Sequence, residues 1–391
     1  MSTQLREMFE AAADDRVPPD LTQRAVDGAR RRRRQRWVGG AAAATAAAFV
    51  LGVVVATTDL RSETAPRPTD VATIPTEMPM PSGLPELQAG VMSSASAAYV
   101  VDERLVLVDA RSAEGYVYDG AARMDESDTG GLDAGALRPY QVSLSPDGST
   151  ALVAMRSEFS QRLLGIRLAV LDVATAESSL EDLQLSDAYA EEGWLQYNLM
   201  SWAPDSKSAY CVCLGRKGTD PQLGIWSITI GDTLEGAFYS QISKVVPSQI
   251  SAGVTGLAVQ LDPFGGSWEI RSDDYLNQAD LGPAESLSLS GAVPTAFAAV
   301  REGRYTIDDV ACDGCQVEWK QVPAGPVSSI QAFGSDYVLI SRPENAAPGE
   351  PPPPTPLLAH VITADSAPRL LTTFPASTTS TSLAAQQLPS E

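Results

Sequence analysis

Histidine is nearly absent from this sequence: its 391 residues include only His360. A single histidine makes most Ser-His-Asp and Cys-His catalytic sites and most histidine-ligated metal sites impossible in this chain. Basic residues are also scarce, with 28 Lys and Arg against 49 Asp and Glu, a net charge of −21. Such an acidic chain is a poor partner for nucleic acid. We therefore predict no catalytic, cofactor-binding or metal-binding residues and no nucleic-acid partner.

The basic residues that do occur are concentrated at the N-terminus. Residues 1–36 hold nine arginines against six acids, whereas the remainder has a net charge of −24. No Cys or His lies in 1–36, which excludes a zinc-type anti-sigma domain, and no Cys lies near residue 56, which excludes lipoprotein processing. A basic head and an acidic body indicate two compartments.

A hydrophobic segment follows the basic head. Residues 37–58 are 22 uncharged residues, and a helix of that length spans roughly 33 Å, enough for a bilayer core of about 30 Å. Positive residues remain cytoplasmic, so the head is predicted inside and residues 59–391 outside the cell membrane. The arginines that set this orientation are Arg30, Arg31, Arg32, Arg33, Arg34 and Arg36.

Two other interpretations of this segment remain open. Val54 and Ala56 would form an acceptable signal-peptide cleavage site, although the span and its head are long for a signal peptide. A buried Ala-rich helix in a soluble protein is the other alternative. The arginine pairs match a twin-arginine signal only weakly, because any poly-Arg run does so.

The head itself is predicted to be helical. Apolar residues at helical spacing precede Pro18, and a second helix begins after Asp20. It either docks a cytoplasmic partner such as a transcription factor, or lies on anionic lipid.

Beyond the predicted membrane span, the sequence changes to proline-rich and then to alternating runs. Residues 59–85 carry six prolines and no apolar period, which predicts an extended spacer. Afterwards, short alternating strands flank tight turns. The turn residues are Ser145, Pro146, Asp147 and Gly148, and then Ala203, Pro204, Asp205 and Ser206. Proline fixes φ and glycine accepts a positive φ, so these turns are well specified.

Units of about 40–58 residues with four short strands each are typical of a β-propeller. The segments SLSPDGSTALVAM and SWAPDSKSAYCVC resemble blades of TolB-like and Trp-Asp-repeat-like propellers. The whole layout resembles a group of actinobacterial single-pass membrane proteins. The resemblance implies an all-β propeller. Residues 86–375 have space for six or seven blades, and the tail over 376–391 is expected to be disordered from its composition. Another all-β fold, such as a sandwich, would show similar turns.

Four cysteines in an outward domain predict disulfides. Cys312 and Cys315 bracket an Asp-Gly hairpin turn, which would bring their Cα atoms within bonding range. Cys211 and Cys213 lie on one face of a strand, about 6.6 Å apart, a strained separation for mutual pairing. Bridges from them to Cys312 and Cys315 are the alternative, as are a four-cysteine zinc site or a redox site.

Three functions are compatible with this organisation. The first is a membrane-anchored, extracytoplasmic propeller that binds an envelope protein, peptide or polysaccharide without chemistry. The second is a transmembrane regulator whose head binds a transcription factor. The third is an envelope hydrolase using paired carboxylates. The adjacent acids are Glu181-Asp182, Glu191-Glu192, Asp273-Asp274 and Asp308-Asp309, and most are expected to be solvated loop charges.

Overall fold

The computed structural model of this protein describes part of the chain. The described residues are 73–120, 137–157, 166–185, 199–217, 220–229, 237–240, 249–254, 257–260, 268–271, 284–292, 296–309, 318–343 and 355–384. They belong to a compact unit over Asp70–Glu391. No helix long and apolar enough to cross a membrane occurs among them. The predicted head and membrane span lie outside the described residues.

The described residues form antiparallel sheets joined by short turns. The first sheet comprises β1 (Ala95–Val101), β2 (Arg104–Asp109), β3 (Gly115–Tyr118) and β23 (Thr378–Leu383). The second comprises β4 (Leu137–Leu144), β5 (Thr150–Ser157), β6 (Ile166–Asp172), β7 (Ser178–Leu185), β8 (Met200–Trp202), β9 (Ser208–Lys217), β10 (Asp220–Thr229) and β11 (Ala237–Ser240).

Three smaller sheets complete the fold. One comprises β12 (Gln249–Ala252), β13 (Leu257–Gln260) and β14 (Trp268–Arg271). The next comprises β15 (Ser286–Leu289), β16 (Ala296–Arg301), β17 (Arg304–Asp309) and β18 (Lys320–Gln321). The last comprises β19 (Val327–Phe333), β20 (Asp336–Ser341), β21 (Leu357–Ile362) and β22 (Arg369–Phe374).

The number of sheets corrects the sequence-based expectation. The described strands make five sheets, not the six or seven separate blades predicted. Two consecutive four-strand meanders, β4–β7 and β8–β11, join into one eight-stranded sheet because β7 also pairs with β9 at Gln184–Leu214 and Leu185–Cys213. A pairing between a strand of one meander and a strand of the next has no local sequence signal, so counting repeats could not reveal it.

The C-terminal strand closes the ring of sheets. β23 pairs antiparallel with β1, from Ala97–Leu383 to Val101–Thr378. The prediction of a disordered tail from residue 376 is therefore wrong for residues 378–383. A Ser/Thr-rich run resembles a disordered tail in composition, but threonine also has high β propensity, and Thr378 and Ser382 are buried here.

Packing between neighbouring sheets supplies the core. In β2, Leu105 and Leu107 face one apolar cluster, while Val106 and Val108 face another. Both faces of the sheet are covered, so the strand is a continuous apolar run rather than an alternating one. Equivalent clusters lie between the two meanders of the second sheet and between the other neighbouring sheets. A closed ring of such sheets is a β-propeller, as the resemblance implied.

The N-terminal strap, residues 73–87, is held against two sheets. Met78 N donates to Thr373 O at 2.8 Å, which forms a parallel bridge to β22. Leu87 N donates to Val117 O at 2.8 Å, which forms a second parallel bridge, to β3. The sequence predicts an extended spacer over 59–85, but 73–85 lie against two sheets because buried Met78 and Leu87 anchor the proline-rich backbone. Residues 59–72 lie outside the described part.

Candidate functional site

A central cavity of about 320 Å³ lies at the carboxyl ends of one set of strands. These are β4, β8, β12, β15, β19 and β23, the inner strands, each at one edge of its four- or three-strand unit. The cavity is lined by Ser143, Leu144, Pro146, Met200, Ser201, Trp202, Pro204, Ser251, Ala252, Ser288, Gly291, Ile330, Gln331, Ala332, Gly334, Ser382 and Leu383. Because every inner strand contributes lining residues, the site exists only when the sheets are arranged in a ring.

The two proline-containing turns form part of the cavity mouth. Pro146 and Pro204 both line it. The two aspartates that follow them do not; each caps backbone N–H groups of its own turn. Asp147 Oδ1 accepts from Ser149 N at 3.0 Å, and Asp205 Oδ1 accepts from Lys207 N at 2.9 Å. The turns predicted from the sequence therefore place their prolines at the cavity, while their aspartate carboxylates form hydrogen bonds within the turns.

The first turn is also locked to the neighbouring sheet. Ser145 Oγ donates to Asp147 Oδ1 at 2.7 Å and accepts from Thr150 N at 3.0 Å. Gly148 has a φ of +72°, and a Cβ there would lie 2.1 Å from Ala95 O. Only glycine meets both requirements, the left-handed backbone and the close approach.

Serine hydroxyls join successive inner strands around the cavity. Ser382 Oγ accepts from Leu144 N at 2.8 Å. Ser201 Oγ and Ser251 Oγ do the same for the next inner strands, accepting from Ala252 N and from Leu289 N, both at 2.9 Å. In these three inner strands, serine thus occupies an equivalent position near the end of the strand and satisfies a backbone N–H of its neighbour.

Gln331 occupies that position in β19. It lines the cavity, yet its side-chain nitrogen Nε2 is buried and has no hydrogen-bond partner within the described part of the chain. Buried polar atoms are nearly always hydrogen-bonded, and none of the other described residues that line the cavity has such an unpaired atom.

The cavity lining described here carries no ionisable side chain. Groups with displaced pKa values lie between sheets instead. Burial raises the pKa of Tyr99 and Tyr337 and lowers the pKa of His360. Across the described ranges, no three His, Cys, Asp or Glu side chains come close enough together to hold a metal ion.

The cysteines pair differently from the expectation. Cys211 is bonded to Cys213, with Cα atoms 5.5 Å apart. The separation is shorter than the 6.6 Å of an extended strand, because twisted strands contract, and it lies within the usual disulfide range. A bridge from this pair to Cys312 and Cys315 is therefore wrong. Cys312 and Cys315 themselves lie outside the described residues.

The remaining sequence candidates do not meet at the cavity. Arg30 to Arg34 and Arg36 lie outside the described residues, as do the acids at 191–192 and 273–274. Asp308 and Asp309 end β17, away from the lining. Trp202, which was not among these candidates, lines the cavity; it is largely buried, and its Nε1 donates to Ser143 O at 2.9 Å.

Sequence reasoning missed the serine positions, although a signal exists. The tripeptides Val142-Ser143-Leu144, Met200-Ser201-Trp202, Ile250-Ser251-Ala252, Leu287-Ser288-Leu289 and Thr381-Ser382-Leu383 share a central serine. Their spacing is irregular and only the first two precede a Pro-Asp turn, so the repeat is visible only once the strands are aligned in the ring.

Neither a family model nor a curated protein matches the chain. Solved structures with similar folds include prolyl oligopeptidase B from Galerina marginata, with 10% identity, a TM-score of 0.41 and 72% of this chain covered; the match covers 44% of that enzyme's chain. The Cps50 (Swd1) β-propeller domain of Myceliophteria thermophila matches with 10% identity, a TM-score of 0.36 and coverage of 61% and 71% of the two chains.

The CRINKLY WD40 ectodomain of the Arabidopsis thaliana receptor kinase ACR4 also has 10% identity, with a TM-score of 0.29 and coverage of 61% and 66%. At these identities the likenesses describe the fold alone. The class of protein is therefore defined by the closed ring of sheets: this chain carries a β-propeller.

Proposed function

We propose that the protein is a membrane-anchored, extracytoplasmic β-propeller that binds an envelope protein, peptide or polysaccharide at its central cavity and performs no chemistry. The observation that carries the proposal is the cavity to which all the inner strands contribute. Its volume of about 320 Å³ lies at the lower end of the range for ligand pockets, roughly 300–1,000 Å³.

The chemistry of the cavity supports binding over catalysis. A carboxylate-dependent hydrolase needs two acids facing one cleft, about 5–10 Å apart. The lining described above supplies serine hydroxyls, one glutamine and apolar side chains instead. Three of those serines already accept backbone N–H groups, and none has a histidine in the lining to activate it. These groups hold a ligand without transferring protons.

The proposed membrane anchor is supported by the sequence. Residues 37–58 are uncharged and follow a run of arginines, which orients a spanning helix with the head inside. The disulfide between Cys211 and Cys213 is typical of an oxidising compartment.

A variant that fills the cavity tests the proposed site. Gly291 has an ordinary φ, and an added Cβ would meet Gly334 O at 3.5 Å and Pro204 at 3.9 Å, both normal contacts. Gly291→Leu should therefore fold and block the mouth, while Ala292→Leu adds the same side chain at an exposed neighbour outside the lining.

Full-length wild-type and variant chains are crosslinked in their native envelope, and the captured species are compared. We expect Gly291→Leu to lose species that Ala292→Leu retains, with both variants unfolding at the wild-type temperature. An identical set of captured species from all three chains would contradict the proposed site.

A further inference from the structure

One edge of β9 pairs with two different strands in succession. Its first part pairs with β8, where Cys211 lies opposite Met200. Its next part pairs with β7, where Cys213 lies opposite Leu185. Because β7 belongs to the first meander of the second sheet and β8 to the second, the join between the two meanders begins between these two cysteines.

The disulfide bond spans this change of partner. Cys211 is bonded to Cys213, and only Val212 lies between them; its N–H donates to Leu199 O, next to β8, at 3.0 Å. The Cα atoms of the two cysteines are 5.5 Å apart, about 1 Å less than in an extended strand. The bond therefore holds β9 short at the position where it leaves β8 and meets β7.

The pairings of β9 differ greatly in extent. β10 follows β9 in the chain and pairs with it along its whole length, Ser208–Lys217, so these two strands move together. β8 pairs over Ala209–Cys211, and β7 pairs only at Cys213 and Leu214. A pairing this short is the one least able to absorb a shift of about 1 Å along the strand. Lengthening of β9 would therefore break the pairing with β7 first.

The packing around the bond opposes two separate thiols. Both cysteine side chains are buried in the apolar cluster between the two meanders, together with Leu152, Leu168 and Trp226. Two unbonded sulfur atoms need more space than a bonded pair, and a close-packed cluster supplies that space only by rearranging. Loss of the bond thus favours opening of the same join from the side-chain direction.

We propose that the Cys211–Cys213 disulfide is a redox-sensitive switch: oxidised, it holds β9 in the short form that pairs with both β8 and β7, and reduced, it releases β7 and divides the second sheet into two four-stranded blades. In the reduction a dithiol forms its own disulfide while the bond in this chain breaks, and its two hydrogens pass to the cysteines. The reverse exchange, with a disulfide donor, closes the switch in an oxidising compartment. The inference depends on strand pairing and stands whether or not the cavity binds a ligand.

Hydrogen exchange followed by mass spectrometry measures the switch in the full-length chain. Cys312 and Cys315 are first changed to serine, so that Cys211 and Cys213 are the only cysteines left. The oxidised chain is then compared with the chain reduced by dithiothreitol. We expect the peptide that contains Leu185 to exchange about tenfold faster after reduction, because it loses its hydrogen bonding to β9, while peptides from β1 and β20 keep their rates.

Two variants separate the bond from the packing. Cys211→Ser with Cys213→Ser cannot form the bond, so it should show the faster exchange at Leu185 without any reductant. Where dithiothreitol does not reach the buried bond, this variant decides the outcome. Ile228→Val removes one carbon from the same cluster and keeps the bond, so it should exchange like the oxidised chain.

Three outcomes would overturn the switch. The first is unchanged exchange at Leu185 in the double-serine variant. The second is loss of protection in every sheet, because the bond would then support the whole fold rather than the join. The third is equally fast exchange at Leu185 in Ile228→Val, which would assign the effect to packing.

Discussion

Ser206 Oγ accepts a hydrogen bond from the backbone N–H of Asp147 at 3.1 Å, joining two turns that lie 59 residues apart. Ser206 adopts a φ of +58°, a left-handed conformation that favours glycine, which is the residue at the matching position of the first turn. Serine at this position therefore has a strained backbone conformation, and its side chain forms a hydrogen bond between the two turns.

Substitution of Ser206 should separate these two effects. Ser206→Ala keeps the strain and loses the bond, so we expect it to lower the free energy of unfolding by about 1 kcal/mol. Ser206→Gly also loses the bond but relieves the strain, so it should be closer to neutral. Urea denaturation measures both variants. Equal destabilisation by Ala and Gly would show that the strain is not significant.

Two glycines with a positive φ should differ sharply in how much substitution by alanine destabilises the fold. Gly148→Ala places a Cβ 2.1 Å from Ala95 O, so we expect a loss of more than about 2 kcal/mol. Gly83→Ala has a φ of +88° but nothing within 4 Å, and should cost only about 1 kcal/mol. The thermal midpoints of the two variants provide the comparison, and similar shifts would argue against the close contact at Gly148.

Removal of the closing strand should disrupt the fold far more than removal of the residues that follow it. Truncation after residue 377 deletes β23 and leaves β1 with an unpaired edge, so we expect aggregation or loss of cooperative unfolding. Truncation after residue 384 keeps every β23 pair and should preserve the unfolding transition. A soluble, cooperatively folding chain ending at 377 would contradict closure by β23.

His360 should make the fold sensitive to mild acid. Burial lowers its pKa in the folded chain, and its Nδ1 has no partner among the described residues. The unfolded chain therefore takes up the proton more readily, so this stability is present above the ordinary pKa of about 6.5 and is lost as the pH falls below it.

The comparison uses His360→Gln, which cannot titrate. We expect the free energy of unfolding to fall between pH 7.5 and 5.5 in the wild type, and to fall less in His360→Gln. Equal pH dependence in the two chains would assign the effect to other groups.

The proposed topology can be tested with a matched pair of cysteine variants. Ser335→Cys places a thiol on the exposed turn between β19 and β20, and Ser2→Cys places one in the N-terminal head. In intact cells, a membrane-impermeant maleimide should label Ser335→Cys above the unsubstituted chain. Ser2→Cys should react only after permeabilisation. Labelling of the reverse pattern would overturn the orientation.

Local chemistry made the hairpin turns predictable. The Pro-Asp pairs at 146–147 and 204–205 fix φ and supply carboxylates that cap backbone N–H groups, and β4 pairs with β5 and β8 with β9 around them. Each of these interactions spans only a few residues, so the sequence alone contains the information.

Features that depend on distant pairing were not predictable in the same way. β1 and β23 meet although they lie at opposite ends of the described chain, and the composition around Thr378 resembles a disordered tail. The cavity depends on the same long-range arrangement, because Ser382 and Leu144 become neighbours only when the ring closes. No sequence pattern identifies Gln331 as a lining residue, because it lies at the cavity only once the ring has formed.

The N-terminal strap has a mechanical consequence. It pairs in parallel with β22 of the last sheet and with β3 of the first sheet, which also contains the closing pair of β1 and β23. These backbone hydrogen bonds precede β1 in the chain, so they must break before fraying from the N-terminal side reaches the pairing of β1 with β23. The strap therefore protects the junction where the ring begins and ends.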